Sequence, residues 1–204
     1  MPGEAFEHVR QAAGVTLPAA DYRAEFYRRL RRVEGAVWKL ERGQHFHEPD
    51  VPSWTAMMNG DWHRAVDLIA RTRYTDDLPP RAELRRLRIA AEPLTPYLQW
   101  EIVLLVARSR AGERVRVLPV EAVRHLERSA PLPELLILDR DLMYEVLYDD
   151  IGAHTGGRRI TDPAVIEPCA LSVADLYERA EDVVAYHDRV VAQLPPPAVS
   201  RIPS

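Results

Sequence analysis

The segment Arg86-Leu-Arg-Ile-Ala-Ala-Glu-Pro-Leu-Thr-Pro-Tyr-Leu-Gln-Trp-Glu101 holds the residues best placed by type and spacing to do chemistry. From Pro96 onward, helical spacing puts Tyr97, Trp100, Glu101, Leu104, Leu105 and Arg108 on one face, so Glu101 falls among aromatics and away from the solvated side. A carboxylate in that setting needs a partner. Arg88 on the preceding strand and Glu92 at the turn can converge with it where backbone donors also gather. Arg88, Glu92, Tyr97, Trp100 and Glu101 therefore form the candidate ligand-binding set, with Glu101 the candidate general acid or base. The competing reading is a structural ion pair under an aromatic lid, because such networks also perturb carboxylates.

Other clusters are weaker. His45-x-His47 lies on an extended segment, where residues two apart face the same side, and His63 and Asp61 follow on the next helices. That spacing arises often by chance, and no metal or other cofactor is expected. Asp139, Asp141, Asp149 and Asp150 surround a hairpin, where paired carboxylates can bind a cation but ordinary turn chemistry is the commoner role. Cys169 sits early in a helix, and a lone cysteine there acts as a small hydrophobe. Arg28, Arg29, Arg31 and Arg32 make a basic run that reads first as a solvated helix face.

Composition narrows the classes. A net charge of -4, built from interspersed charges of both signs, argues against a nucleic-acid surface dominating the molecule. No apolar run approaches the roughly 20 residues that span a bilayer, and a single cysteine suits a reducing compartment. The expectation is a cytoplasmic protein without nucleic-acid or membrane partners.

The elements that must position these residues can be read from periodicity. Arg86 to Ala90 alternates as a strand, Glu92-Pro93 ends it, and Thr95-Pro96 opens a helix with a cap oxygen and a proline at the first helical position. Gly112 ends that helix and Arg114 to Leu118 alternates again, which makes a strand-helix-strand crossover with parallel pairing. Glu121 to Ser129 reads as a short helix, and Pro133 to Leu138 with Leu142 to Tyr148 reads as a hairpin. Upstream, Asp21 to Val33 is helical, Ala36 to Phe46 extended, and Ser53 to Ala70 two short helices. A last helix runs from about Asp162 to Leu194, kinked or split by Pro168. The fold class expected is α+β: a helical N-terminal part on a mixed sheet of about four or five strands, with a long C-terminal helix. The Asp76-to-Pro80 joint divides residues 1–78, the helical part, from residues 81–194, the part with the central sheet; residues 195–204 form a proline-rich, disordered tail.

Trp38-Lys-Leu-Glu-Arg-Gly-Gln44, Pro52-Ser-Trp54 with Gly60-Asp-Trp62, Arg88 to Glu101, and Leu138-Asp to Tyr144-Glu-Val together resemble the DUF6879 family of actinobacterial proteins of unknown function, over roughly Phe26 to Tyr186. The resemblance implies a soluble actinobacterial protein, often encoded beside helix-turn-helix regulators, and implies no activity. His45 and His47 are not part of the family pattern. The order of crossover, apolar strand and hairpin also resembles phospholipase D-like domains in architecture. Counting back from Asp139, the positions of that family's histidine and lysine hold Leu132 and Glu134, so hydrolysis by that mechanism is excluded on this alignment. With no recognisable nucleophile, base and metal set, the function expected is a non-catalytic, small-molecule-sensing or regulatory binding module. The alternatives are a small pathway enzyme using Glu101 as acid or base, and a protein-interaction partner of a helix-turn-helix regulator.

Overall fold

Residues 82 to 90 alternate in a way that decides the architecture: Leu84, Arg86 and Arg88 point to one side and Leu87 and Ile89 to the other, and all five are buried. A strand buried on both faces must lie inside a sheet with helices above and below it. The computed structural model describes residues 2–77 and 79–199 and places this strand, β3 (Ala82–Ala90), inside an eight-stranded mixed sheet. Its parallel neighbours are β2 (Gly35–Glu41) and β4 (Arg114–Pro119). The helices α3 (Pro52–Met58) and α4 (Trp62–Arg71) connect β2 to β3, and α5 (Pro96–Arg110) connects β3 to β4. Beyond β2 the sheet continues antiparallel through β5 (Leu135–Asp139), β6 (Leu142–Tyr148), β7 (His154–Ile160) and β1 (Val15–Pro18). On the far edge β4 pairs with the two-residue β8 (Glu181–Asp182).

The two faces of the sheet are covered differently. On one, α1 (Pro2–Gln11) and α6 (Pro163–Glu178) bury Phe6, Val9, Cys169 and Val173 against Leu40, Leu87, Ile89 and Ile137. On the other, α2 (Ala19–Leu30) packs Tyr22 and Leu30 against Val37, Leu136 and Tyr144, while α5 packs Leu98, Ile102 and Leu105 against Val115 and Val117. The strip of sheet between α2 and α5 carries charges, and the site lies there.

Four expectations are corrected. The sheet has eight strands instead of four or five, because the N-terminal region supplies β1 and β2 and the C-terminal region β7 and β8. β7 was hidden by Gly156-Gly157, which reads as a breaker, yet the strand needs both glycines. A Cβ on Gly157 would lie 2.6 Å from the Tyr22 ring, and one on Gly156, at φ +149, would lie 2.0 Å from the Leu17 carbonyl oxygen. The long C-terminal helix is two pieces: α6 ends at Glu178, β8 follows, and α7 (Val183–Tyr186) runs into a π-helical turn (His187–Val191). The break falls at Arg179 to Asp182, whereas Pro168 lies on the exposed side of an intact α6. Finally, the segment expected as a helix from Glu121 to Ser129 forms two single 3-10 turns, Val120–Ala122 and Arg124–Leu126.

The N-terminal and C-terminal segments share this sheet, since β2 sits between β5 and β3. α1 is also docked: Phe6 and Val9 are fully buried, and the Arg158 guanidinium donates to the carbonyls of Val9 and Ala12 at its end. In the tail, Gln99 donates to the Pro195 carbonyl at 2.6 Å, and residues 200–204 lie outside the described residues.

Candidate functional site

The parallel register sets Lys39 beside Arg86 and Glu41 beside Arg88, so four charged side chains form a block on one face of the sheet. Arg86, Arg88 and Glu41 are buried there, and buried charge must be paired. It is paired in an alternating series. Lys39 Nζ lies 2.7 Å from Glu41; Arg86 donates to both Glu41 oxygens at 2.7 and 2.8 Å and through Nε to Glu113; Arg108 donates to Glu113 at 2.6 Å and to Asp77 at 2.9 Å. Three cations thus alternate with three carboxylates.

Arg88 forms a separate unit. Its Nε donates to Glu101 Oε2 at 2.6 Å, and its remaining donors reach the carbonyls of Glu41 and Ile89 at 3.1 Å and that of Gly43. Glu101 is held opposite because Thr95 caps α5, accepting from the Leu98 N–H, and Pro96 starts it, fixing the helix over the strand end. One turn earlier, the Tyr97 hydroxyl lies 3.3 Å from Glu101 Oε1 and 3.3 Å from Glu48 Oε2.

The electrostatics follow from burial and pairing. Burial acts against Glu41, but Arg86, Lys39 and Arg88 together hold its carboxyl well below the usual range. Glu113 is lowered in the same way by Arg86 and Arg108. Burial raises Glu101, with the Arg88 guanidinium opposing it, while Arg88 itself stays charged. Glu48 is pushed up to about 7 by burial and by the Glu101 carboxylate. Glu134, whose Oε1 accepts from the backbone N–H groups of Arg42 and Gly43, is likewise raised to about 7 by burial.

Above the block lies a cavity of about 470 Å³. Its floor includes Lys39, Glu41 and Arg86; Tyr22, Phe26 and Tyr27 of α2 form one wall, and Tyr97, Glu101 and Leu104 of α5 the opposite one. The loop after β2 and the start of α3 close a third side with Glu48, Asp50 and Ser53. An enclosure of this size with an aromatic wall and a few polar groups has the character of a small-molecule site.

The structure brings together three of the five residues expected to form a site. Arg88, Tyr97 and Glu101 converge, but Arg88 is fully buried beneath the cavity, so of the five only Tyr97 and Glu101 line it. Glu92 is exposed and accepts from the Tyr186 hydroxyl at 3.2 Å. Trp100 is fully buried in the cluster with Trp54 and Met57 and packs beside Tyr97. The histidines diverge: His45 packs on Tyr97, His47 on Trp54, and His63 is exposed on α4. Among the described residues no group of three or more His, Cys, Asp or Glu is arranged to hold a metal. Asp139 and Asp149 accept backbone N–H groups within their own turns. Cys169 is buried, and burial pushes its thiol up to about 12.

Sequence reasoning missed Lys39, Glu41, Glu48, Arg86 and Glu113 as site residues, and it put Arg108 on the face of Tyr97 and Glu101 without giving it a role. As polar alternates of half-apolar segments, the strand residues among them read as solvent-facing. The signal that finds them is topological, because parallel strands flanked by crossover helices have no solvent-facing side.

The DUF6879 domain of unknown function matches residues 24–188, most of the chain. The chain belongs to this family. No curated protein matches it. Among solved structures, the archaeal chromatin protein TrmBL2, described as showing a novel mode of DNA binding, is similar with 14% identity and a TM-score of 0.39. The match covers 82% of this chain and 53% of that one, so the chain spans about half the length of TrmBL2, and a likeness this weak carries no functional argument. No helix among the described residues is long and apolar enough to cross a membrane.

Proposed function

We propose that this DUF6879 protein is a non-catalytic small-molecule-binding module of the cytoplasm, whose ligand occupies the cavity between α2 and α5. The observation that carries this reading is the cavity of about 470 Å³, with its aromatic wall on one side and its polar corner at Tyr97 and Glu101 on the other. Beneath it, Arg86 and Arg88 are locked by paired carboxylates and carbonyls, which makes the floor a rigid platform more than a set of reacting groups.

A metabolite-library thermal-shift screen tests the reading, repeated on Leu104→Trp, which places a large ring in the cavity. The expected result is at least one compound that raises the melting temperature of the wild type and not of the variant. Compounds that stabilise both proteins equally would move the binding site elsewhere.

A catalytic reading has one observation in its favour: Glu48 sits near the pH at which a general acid or base works best, hydrogen-bonded to Tyr97 at the cavity edge. Turnover of a compound found in the screen, lost in Glu48→Gln with binding retained, would favour it.

A further inference from the structure

The charges around the cavity do not balance where they face it. Lys39, Arg86 and Arg108 are its lining cations, and each is already committed to Glu41, Glu113 or Asp77 in the alternating series. Three positive and three negative charges cancel there, and Arg88 cancels Glu101. Two lining carboxylates are left over, Glu48 and Asp50, and among the described residues neither has a lysine or arginine in ion-pair contact. An anionic ligand would therefore meet no uncommitted cation, and it would meet two carboxylates.

The hydrogen-bond count points the same way. The Tyr97 hydroxyl is equidistant, at 3.3 Å, from Glu48 and Glu101, yet it carries one proton and can satisfy one carboxylate at a time. Glu101 is only 3% exposed, so its Oε1 has few other sources of a donor. With both carboxylates ionised, this corner has one hydroxyl donor for two acceptors and an excess of negative charge. An ammonium group supplies three donors and one positive charge.

Resting on the binding reading above, we propose that the ligand is a small organic amine, held as its ammonium at the Glu48–Tyr97–Glu101 corner with its apolar body against the Tyr22 and Phe26 wall. The Tyr22 and Phe26 rings offer that apolar body a hydrophobic surface. Asp50 at the rim adds long-range attraction without a fixed contact.

The test compares matched probes by isothermal titration: 2-phenylethylamine and hexylamine against the corresponding alcohols and against 3-phenylpropanoate and hexanoate. The amines are expected to bind at least tenfold more tightly than their neutral and anionic counterparts. Glu48→Gln and Tyr97→Phe should each weaken the amines at least tenfold, with folding of both variants checked by circular dichroism. Binding of the carboxylates or alcohols as tight as that of the amines would overturn the amine assignment and leave the binding reading standing. Full amine affinity in both folded variants would overturn the placement at this corner. If no amine probe binds and the library screen yields only anions or neutral compounds, the amine assignment fails alone; if the screen yields nothing, both fail.

Discussion

Glu101 and Glu48 share a hydroxyl and differ in almost everything else. Glu101 Oε2 is bound to a guanidinium that is fully buried and whose other donors are taken by carbonyls. Glu101→Gln is therefore expected to leave Arg88 uncompensated and cost on the order of 3 kcal/mol in urea unfolding, the scale for breaking a buried pair. A loss below about 1 kcal/mol would mean that the carbonyls alone suffice for Arg88. Among the described residues Glu48 has no lysine or arginine in ion-pair contact, and its carboxyl is raised from 4.5 to about 7 by burial and by Glu101, with the Lys39 charge opposing. A raised carboxyl means that the folded state holds the proton more tightly, so this stability is fully present below the unfolded value and is lost as pH rises through about 7. Glu134 adds to the same trend, while the depressed carboxyls of Glu41 and Glu113 act at the acid end, their contribution being lost as pH falls. Glu48→Gln should therefore be more stable relative to wild type at pH 8 than at pH 5, read from urea midpoints at the two values. An equal difference at both would show that Glu48 titrates normally.

At the scale of the element, β7 carries the strongest constraint. Its Gly156-Gly157 pair lets Leu17 of β1 and Tyr22 of α2 approach the strand backbone. Gly156→Ala should destabilise the protein by on the order of 3 kcal/mol or prevent folding, since a Cβ would meet the Leu17 carbonyl oxygen at 2.0 Å and the backbone conformation at φ +149 is one that alanine rarely adopts. Near-wild-type stability of that variant would mean β1 is free to move away. These glycines also explain the limits of the sequence. The crossover of β3, α5 and β4 and the β5–β6 hairpin were legible, because alternation, the Thr95-Pro96 cap and Gly112 all mark them locally. β7 was illegible because its glycines serve a neighbour distant in sequence, and β8 because two residues hold no period. The convergence of Tyr97 and Glu101 with Arg88 was legible from helical spacing after a tight turn. The Lys39-to-Asp77 series was not, since it depends on which strand lies beside which.

At the scale of the molecule, the charges are interspersed and the net value is -4. The four arginines at Arg28, Arg29, Arg31 and Arg32 are exposed near the end of α2, with Glu25 4.0 Å from Arg28. We expect no submicromolar, salt-sensitive DNA binding by the isolated protein, because tight non-specific binding needs many phosphate contacts from one basic surface. A gel shift at 150 mM salt, repeated with all four arginines changed to alanine, checks this; a submicromolar shift lost in that variant would refute it. The alternating charges on β2 and β3 also bear on how the chain assembles. About forty residues separate these strands, and parallel strands so far apart can meet out of step while folding. Sliding β2 by two residues one way would set Arg86 beside Val37 and Arg88 beside Lys39, parting Glu41 from Arg86 and placing two cations side by side; the other way it would take the Glu41 carbonyl from Arg88. A slip of one residue would turn Lys39 and Glu41 into the core under α6. A register that parts Glu41 from Arg86, or turns it into the apolar core, breaks a buried pair at a cost of about 3–5 kcal/mol. The buried ions thus proofread the pairing of β2 with β3, and the floor of the cavity is a by-product of that correction.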